Sequence, residues 1–327
     1  MIKKLLIGIA VSAVFIYLTL KGVDLKGVLS ALRNKSYGFL LPAIAVFILT
    51  QAIRSLRWGV ILSPIKEIEQ KTLFPITCVG YAAIIVFPMR LGEIVRPYLI
   101  NLKKSIPIGS GIGSIVMERF MDVLILSGFL FYILTQIDLP AWITRSALGF
   151  LSIIIFGFTL IILCILKPSA AEKIIYLLIS RLPRKMSTRV EKAIFNFLDG
   201  FRVIGNIKKI IQILSISLLI WFLSAGAVYL LFVLVHFPFG ILEAITIIVI
   251  TALGVSIPAA PGLIGNFQFA CMIPLSLWSI AKPDAFAFAM IYYFLGIGTN
   301  IFLGLIFLPS MNVPFKQLLQ SIKFLKQ

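Results

Sequence analysis

Histidine, cysteine and acidic residues are all scarce in this sequence. A single histidine among 327 residues, His236, excludes a metal site built from several histidines. The three cysteines, Cys78, Cys164 and Cys271, lie in apolar runs and form no CxxC pair, which is typical of buried, inert thiols. The sequence also lacks a P-loop and a GxSxG motif, so it indicates neither nucleotide binding nor serine-hydrolase chemistry. We expect no metal and no cofactor.

Long apolar runs dominate the chain instead. Hydrophobic residues make up 60% of it, and the mean hydropathy is +1.08. Because soluble domains do not have this composition, we predict an all-α fold: a polytopic helical integral membrane protein, residues 1–327 forming one domain without a soluble catalytic domain. The net charge of +18 agrees with basic cytoplasmic loops. No basic motif interleaved with aromatic residues indicates nucleic-acid binding.

The charge distribution predicts the topology. Segment 167–209 carries ten Lys and Arg against three acidic residues, which is typical of a cytoplasmic loop. Apolar residues recur in it at helical spacing, so we expect amphipathic helices, either on the membrane surface or packed beneath the bundle. Lysines near both ends of the chain, at Lys3 and Lys326, predict cytoplasmic termini in the cell (inner) membrane.

Two segments are predicted to enter and leave the membrane on the same side. They are residues 73–117 and 240–280, which form two oppositely oriented re-entrant hairpins with broken tips. The full crossings are then about six: 5–20, 37–61, 120–136, 144–166, 210–236 and 285–308. The alternative is a plain bundle of eight or more transmembrane helices.

The first break carries charge to membrane depth. Pro88, Gly92 and Pro97 interrupt the backbone. Between Pro88 and Pro97, Arg90, Glu93 and Arg96 recur every third residue, so on a helix they share one face, with Glu93 between two guanidinium groups. Arginine forks match phosphate oxygens, so a headgroup site is one hypothesis and a structural salt bridge is the other.

Acidic residues open the predicted 120–136 crossing. Glu118 and Asp122 lie four residues apart, on one helix face, with Arg119 beside them. Buried acids need cations, and the candidates are Arg90, Arg96, Arg119, Arg54 and Arg57. For Arg54 and Arg57, snorkelling toward lipid headgroups beside an interfacial Trp58 is at least as good an interpretation as a binding role.

The second break lies in Pro258-Ala-Ala-Pro-Gly-Leu-Ile-Gly-Asn-Phe-Gln268. Pro258 and Pro261 stop the preceding helix, and Gly262 and Gly265 allow close approach of backbones. The side chains that follow, Asn266 and Gln268, are candidates to line a polar pocket without adding charge. A tight turn between two crossing helices is the alternative.

Taken together, these motifs resemble one family. Pro-x-Arg-x-Gly-Glu-x-x-Arg at 88–96, Glu-Arg-x-x-Asp at 118–122, Pro-x-x-Pro-Gly-x-x-Gly at 258–265 and Arg-x-x-Arg-Trp at 54–58 occur in the order and spacing of the flippase-like transmembrane family. That family includes the membrane portion of lysylphosphatidylglycerol synthases (multiple peptide resistance factor). The sequence departs from it at Leu263 and Gln268, where the family often has glycine and an acid.

The resemblance implies an inner-membrane lipid translocator for an anionic phospholipid or a polyprenyl-phosphate-linked intermediate. The expected substrate-binding residues are Arg90, Glu93, Arg96, Glu118, Arg119, Asp122, Asn266 and Gln268, with no catalytic residue. The synthases also carry a soluble aminoacyl-transfer domain, and without one this chain is not expected to be an enzyme. Two alternatives remain: a membrane enzyme that modifies a lipid, with Glu93 or Asp122 as general base, or a scaffold for a lipid-synthesis enzyme partner.

Overall fold

The structure is a computed structural model that describes residues 2–33, 35–87, 92–136, 194–257 and 260–311, with isolated positions at 144–157, 191 and 313. All regular structure in the described residues is helical. The main helices are α1 (Ile2–Leu20), α2 (Leu25–Ala31), α3 (Leu40–Leu62), α4 (Gln70–Val86), α5 (Val95–Lys104), α6 (Ile108–Gln136), α7 (Ile207–Val235), α8 (Ile241–Ser256), α9 (Asn266–Leu277) and α10 (Lys282–Phe307).

In the part of the chain that the structure describes, three helical stretches are long and apolar enough to cross a membrane: Tyr37–Leu62, Ile207–Val235 and Lys282–Phe307. Shorter apolar helices accompany them at Val11–Leu20, Gln70–Val86, Ile241–Ser256 and Pro261–Leu277. These lengths confirm the predicted all-α membrane architecture, since about 20 apolar residues span the hydrocarbon core. The number of crossings and the depth of the two hairpins stay predictions.

Helix α3 lies at the centre of the described fold. It packs against α7 along much of its length and also contacts α4, α6 and α10. One apolar core joins α7, α8, α9 and α10, where the rings of Phe232 and Phe288 stack with centroids 5.2 Å apart. A second core lies between α3, α4 and α5 and includes Trp58. The polar side chains of α3 therefore face the interior of the bundle.

The first predicted break is present. Helix α4 ends at Val86, residues 92–94 form a 3-10 turn, and α5 begins at Val95. A Cβ on Gly92 would lie 2.1 Å from the carbonyl carbon of Ala83, so only glycine lets this turn press onto α4. Pro97 corrects our prediction: it does not break a helix but lies in the first turn of α5, where its missing N–H has no helical acceptor. Pro88 and Arg90 lie outside the described residues.

Helix α6 is continuous, which corrects the predicted boundary at 117. It runs without interruption from Ile108 to Gln136, so the end of the first hairpin and the 120–136 crossing are parts of one helix. Glu118, Arg119 and Asp122 do not interrupt it because partners on other helices neutralise them. The small residues at its start serve close packing: a Cβ on Gly111 would lie 2.9 Å from Cβ of Pro97.

The second predicted break is also present. Helix α8 ends at Ser256, a 3-10 turn covers Pro261–Leu263, and α9 begins at Asn266. Gly262 and Gly265 have φ values of +81° and +93°, which side chains with a Cβ rarely adopt. Pro258 lies outside the described residues.

Most of the basic segment 167–209 lies outside the described residues, and so does Cys164. Its described end is helical at 194–199 and packs onto the bundle, with Phe197 and Phe201 against Met117 and Met121 of α6. A Cβ on Gly200 would lie 2.4 Å from the carbonyl carbon of Gly113, so two backbones touch here. For this stretch, packing beneath the bundle is the alternative that the structure supports.

Candidate functional site

A buried carboxylate, Glu118, is the centre of an ionic network between helices. Both guanidinium Nη atoms of Arg96 donate to its two carboxylate oxygens at 3.0 Å, a two-pronged pair between α5 and α6. Tyr81 of α4 donates its hydroxyl to Oε1 at 2.9 Å. Both Glu118 and Arg96 are fully buried. Such a pair is stable in an apolar interior only with good geometry; here both Nη atoms of Arg96 and both oxygens of Glu118 are paired, while the buried Nε of Arg96 has no partner.

A second pair joins α3 to α6. Arg57 donates to both oxygens of Asp122, at 2.5 and 3.2 Å, and to Oγ of Ser217 on α7 at 3.0 Å. The indole N–H of Trp221 also donates to Asp122, at 3.2 Å. Arg57 also lies 3.4 Å from Glu118, which connects the two pairs. The network thus ties α3, α5, α6 and α7 together.

The burial of Arg57 and Trp58 corrects our alternative that they lie at the membrane interface. Arg57 has no exposed surface because its charge is matched inside the bundle, so snorkelling does not occur. Trp58 is equally buried: its indole N–H donates to Ser114 at 3.0 Å, and the guanidinium carbon of Arg96 lies 4.2 Å above its ring. Gly80 makes room for the Arg96 stem, since a Cβ there would lie 2.1 Å from Cγ.

One edge of the network is open. The side chain of Arg119 is 33% exposed while it donates to Glu118 at 3.1 Å and to the hydroxyl of Tyr81 at 3.2 Å. Its other Nη atom lies 3.4 Å from Asp122. On the face of the Tyr81 ring lies half-buried Arg54, with its guanidinium carbon 4.9 Å from the centroid. Glu93 is near enough to interact electrostatically with Arg119.

The comparison with known proteins agrees with this architecture. The family profile described as the lysylphosphatidylglycerol synthase TM region matches residues 5–304. The chain belongs to this family. That membership confirms the resemblance drawn from the motifs, and it covers the network and both breaks.

Two archaeal relatives match over most of their length. A UPF0104 membrane protein of Methanothermobacter thermautotrophicus is 25% identical over 80% of this chain and 81% of the relative. One of Methanocaldococcus jannaschii is 24% identical over 67% of this chain and 89% of the relative. The glycosyltransferase AglD of Haloferax volcanii is 27% identical over 107 residues, 32% of this chain and 17% of that protein. No solved structure matches the chain.

Of the residues predicted for this lysylphosphatidylglycerol synthase TM region member, Arg96, Glu118, Arg119 and Asp122 meet in the network. Their pairing differs from our expectation. Arg96 is closed by Glu118, not by Glu93, because Glu93 lies in the turn before α5 while Arg96 lies within the helix and points at α6. A ligand therefore reaches Arg96 only if this pair opens, whereas Arg119 is already accessible.

The other two predicted residues lie at the second break and bond locally. The amide nitrogen of Asn266 donates to the carbonyls of Gly254 and Ile257 at 3.4 and 3.3 Å, which closes the end of α8. Gln268 accepts from the N–H of Gly265 at 2.8 Å. It also borders a largely apolar cavity of about 370 Å³ between α1, the second break and α10. These hydrogen bonds are local, and none of them connects Asn266 or Gln268 to the arginines of the network.

Sequence reasoning did not assign Tyr81, Ser217 and Trp221 to the site. Tyr81 and Trp221 stand in apolar runs like any core aromatic residue, so the sequence carries no signal that separates them from core residues. Arg57 was named among the candidate cations for the acids, and the structure pairs it with Asp122. Within the described part of the chain, no three His, Cys, Asp or Glu side chains are grouped to hold a metal ion. Cys78 and Cys271 are buried and free, as predicted.

Proposed function

We propose that this chain translocates a lipid with an anionic headgroup, a phospholipid or a lipid-linked phosphate, across the cell membrane. The observation that supports it is the network itself: three arginines, Arg57, Arg96 and Arg119, face two carboxylates, Glu118 and Asp122, inside a bundle of apolar helices. Ionisable groups at such a depth are costly and commonly mark a pathway for a polar substrate.

Among the described residues, with Arg54 included, four arginines stand against Glu93, Glu118 and Asp122, and this surplus of positive charge favours an anion. Glu118 and Asp122 are occupied by guanidinium groups, so they serve to hold the arginines in place. An anionic headgroup that approaches the open edge at Arg119 would meet positive charge, while the hydrocarbon tails stay in the bilayer. Because no nucleotide motif is present, we propose movement that is passive, ion-coupled or driven by a partner.

A lipid-modifying enzyme is the weaker proposal. One relative, AglD, is named a glycosyltransferase, but the match covers only 17% of that protein. A general base needs a free proton acceptor near the substrate, and Asp122 is bound by Arg57 and Trp221. We therefore propose that the chain is not an enzyme, that it lies in the cytoplasmic membrane with both termini inside, and that any lipid-synthesis enzyme is a separate partner.

The test is lipid translocation in proteoliposomes that contain the purified chain. A fluorescent short-chain phosphatidylglycerol is quenched from outside by dithionite, and the fraction that becomes accessible over time gives the rate. We expect the wild type to exceed protein-free vesicles and Arg96→Glu to lose this excess. Arg202→Glu is the matched control, because Arg202 is 60% exposed and pairs only locally with Asp199.

A charge-swapped variant separates function from folding. Arg96→Glu combined with Glu118→Arg keeps opposite charges facing each other, so we expect it to fold better than Arg96→Glu alone. A folded wild-type protein that moves no lipid contradicts the proposal. Turnover of a labelled lipid by the purified chain would favour the enzyme. Restoration of lipid synthesis in cells by an Arg96→Glu variant would favour the scaffold.

A further inference from the structure

Two arginines flank Tyr81 without being fully closed by acids. Arg119 donates to the tyrosine hydroxyl, and Arg54 lies over the ring. Among the described residues, no carboxylate lies within ion-pair distance of Arg54. The Nε atom of Arg119 is buried and has no hydrogen-bond partner, as is also true of Nε in Arg57 and Arg96, but only Arg119 of these three is partly exposed. Both guanidinium carbons lie near the Tyr81 ring, at 4.9 Å and 6.0 Å from its centroid, so a single anion is a candidate to contact both groups.

A buried amide lies on the same helix as Arg54. Gln51 is 1% exposed, and both its side-chain nitrogen and its oxygen lack a hydrogen-bond partner. It lies one helical turn before Arg54, so the two side chains leave the same face of α3. A buried amide without partners costs about 1–3 kcal/mol for each unsatisfied group, and natural proteins seldom keep one without a reason. A bound group that accepts a hydrogen bond would give this amide the partner that it lacks.

The charges of the region set the class of ligand. Among the described residues, four arginines (Arg54, Arg57, Arg96 and Arg119) stand against three carboxylates (Glu93, Glu118 and Asp122). That surplus favours a group that carries negative charge. A tetrahedral phosphodiester has one such charge and two free oxygens, which two guanidinium forks can approach from different sides.

We infer that Arg54, Arg119 and Gln51 bind one phosphodiester group, with the Tyr81 ring as the floor of the site. This inference rests on the proposed function and deepens it, because it moves the contact with the substrate from Arg96 to Arg54 and Arg119. Arg96 and Arg57 are then positioning residues that hold Glu118 and Asp122. The same chemistry is offered by a lipid headgroup or by free phosphate, and the experiment distinguishes the two.

The experiment measures binding to the purified full-length chain in detergent by isothermal titration calorimetry. The probes are dihexanoyl phosphatidylglycerol, dihexanoyl glycerol without a phosphate, and inorganic phosphate. We expect the first to bind and the second not to. Arg54→Gln and Arg119→Gln should each weaken binding roughly tenfold or more, because each removes a charge-assisted contact. Arg33→Gln is the control, since Arg33 is an exposed arginine outside the network.

Two further variants keep the result interpretable. Arg119→Lys preserves the charge but loses the fork, so we expect an intermediate loss of affinity. Gln51→Leu replaces the unsatisfied amide by an apolar side chain of similar volume, so it should raise thermal stability without ligand and weaken binding. Binding that is unchanged in Arg54→Gln and Arg119→Gln, with both variants folded, overturns the inference.

Competition by inorganic phosphate identifies the source of the bound phosphate, and translocation in proteoliposomes tests the proposed function. If inorganic phosphate competes with the lipid at equal concentration, the site takes a soluble anion. If it does not compete, the site takes the headgroup. Binding by the wild type without translocation in proteoliposomes would remove the transport proposal and leave the site. Full translocation by Arg54→Gln and Arg119→Gln would remove the site and leave the transport proposal.

Discussion

Neutralising Glu118 is the sharpest test of the buried network. In Glu118→Gln the side chain keeps its size and loses its charge, so Arg96, Arg57 and Arg119 are left around one neutral amide. In the wild type, the carboxylate oxygens of Glu118 accept from Arg96 twice at 3.0 Å, from Tyr81 at 2.9 Å and from Arg119 at 3.1 Å. In the variant, an amide NH₂ replaces one of these oxygens. It is itself a donor, so it cannot accept the hydrogen bonds that the oxygen accepted.

The size of the effect follows from this geometry. Removing one partner of a buried ion pair destabilises a protein by about 3–5 kcal/mol, because the remaining charge stays buried. For Glu118 the upper end applies, since Arg96 has no exposed surface and Asp122 is already occupied by Arg57. Replacing both partners, as in Arg96→Met with Glu118→Leu, should be less destabilising than Glu118→Gln, because it leaves fewer buried charges unpaired.

The assay is the unfolding free energy in mild detergent, from denaturant titration of intrinsic tryptophan fluorescence. Trp58 and Trp221 contact the network and report on it directly. Glu67→Gln is the matched control, because Glu67 is exposed, and we expect it to change the free energy by less than about 0.5 kcal/mol. A free energy of unfolding for Glu118→Gln within about 1 kcal/mol of the wild-type value would refute the reasoning, since loss of the central charge of a buried network should be far more destabilising.

Three further outcomes follow from packing around the same helices. Gly80→Ala places a Cβ 2.1 Å from Cγ of Arg96 and should lower the unfolding free energy by about 1–3 kcal/mol, whereas Gly226→Ala, which meets no atom within 4 Å, should not. Gly265→Ala must adopt a φ of +93° with its Cβ 2.9 Å from the Ser12 carbonyl oxygen, so the yield of folded protein should fall. Mass spectrometry after maleimide treatment should find Cys271 unlabelled in the folded protein and labelled after denaturation; labelling of the folded protein would mean that α9 is not buried.

The two interruptions of the helices were predictable because their causes are local. Proline removes a backbone donor and glycine permits positive φ wherever they occur. Pro261, Gly262 and Gly265 therefore predict the second break from the sequence alone. The same holds for the apolar lengths of α3, α7 and α10, which the hydrocarbon thickness alone requires.

The pairing of charges was not predictable in the same way. Glu118 interrupts an apolar pattern and so suggested a helix boundary, yet α6 passes through it because Arg96, 22 residues away, and Arg57 complete its shell. For Trp58, position near the end of α3 favoured the membrane interface, and only the fold shows that Arg96 covers its ring. Which cation meets which acid depends on how helices from distant parts of the chain are placed.

The contact between Gly113 and Gly200 has a mechanical consequence. A Cβ on Gly113 would lie 2.1 Å from the carbonyl oxygen of Phe197, so the end of segment 194–205 and the start of α6 have no space in which to slide. The two backbones are therefore in direct contact, and Glu118 lies about 7.5 Å from Gly113 along the axis of α6. Any larger side chain at either glycine would therefore separate segment 194–205 from α6 within about two helical turns of the central carboxylate.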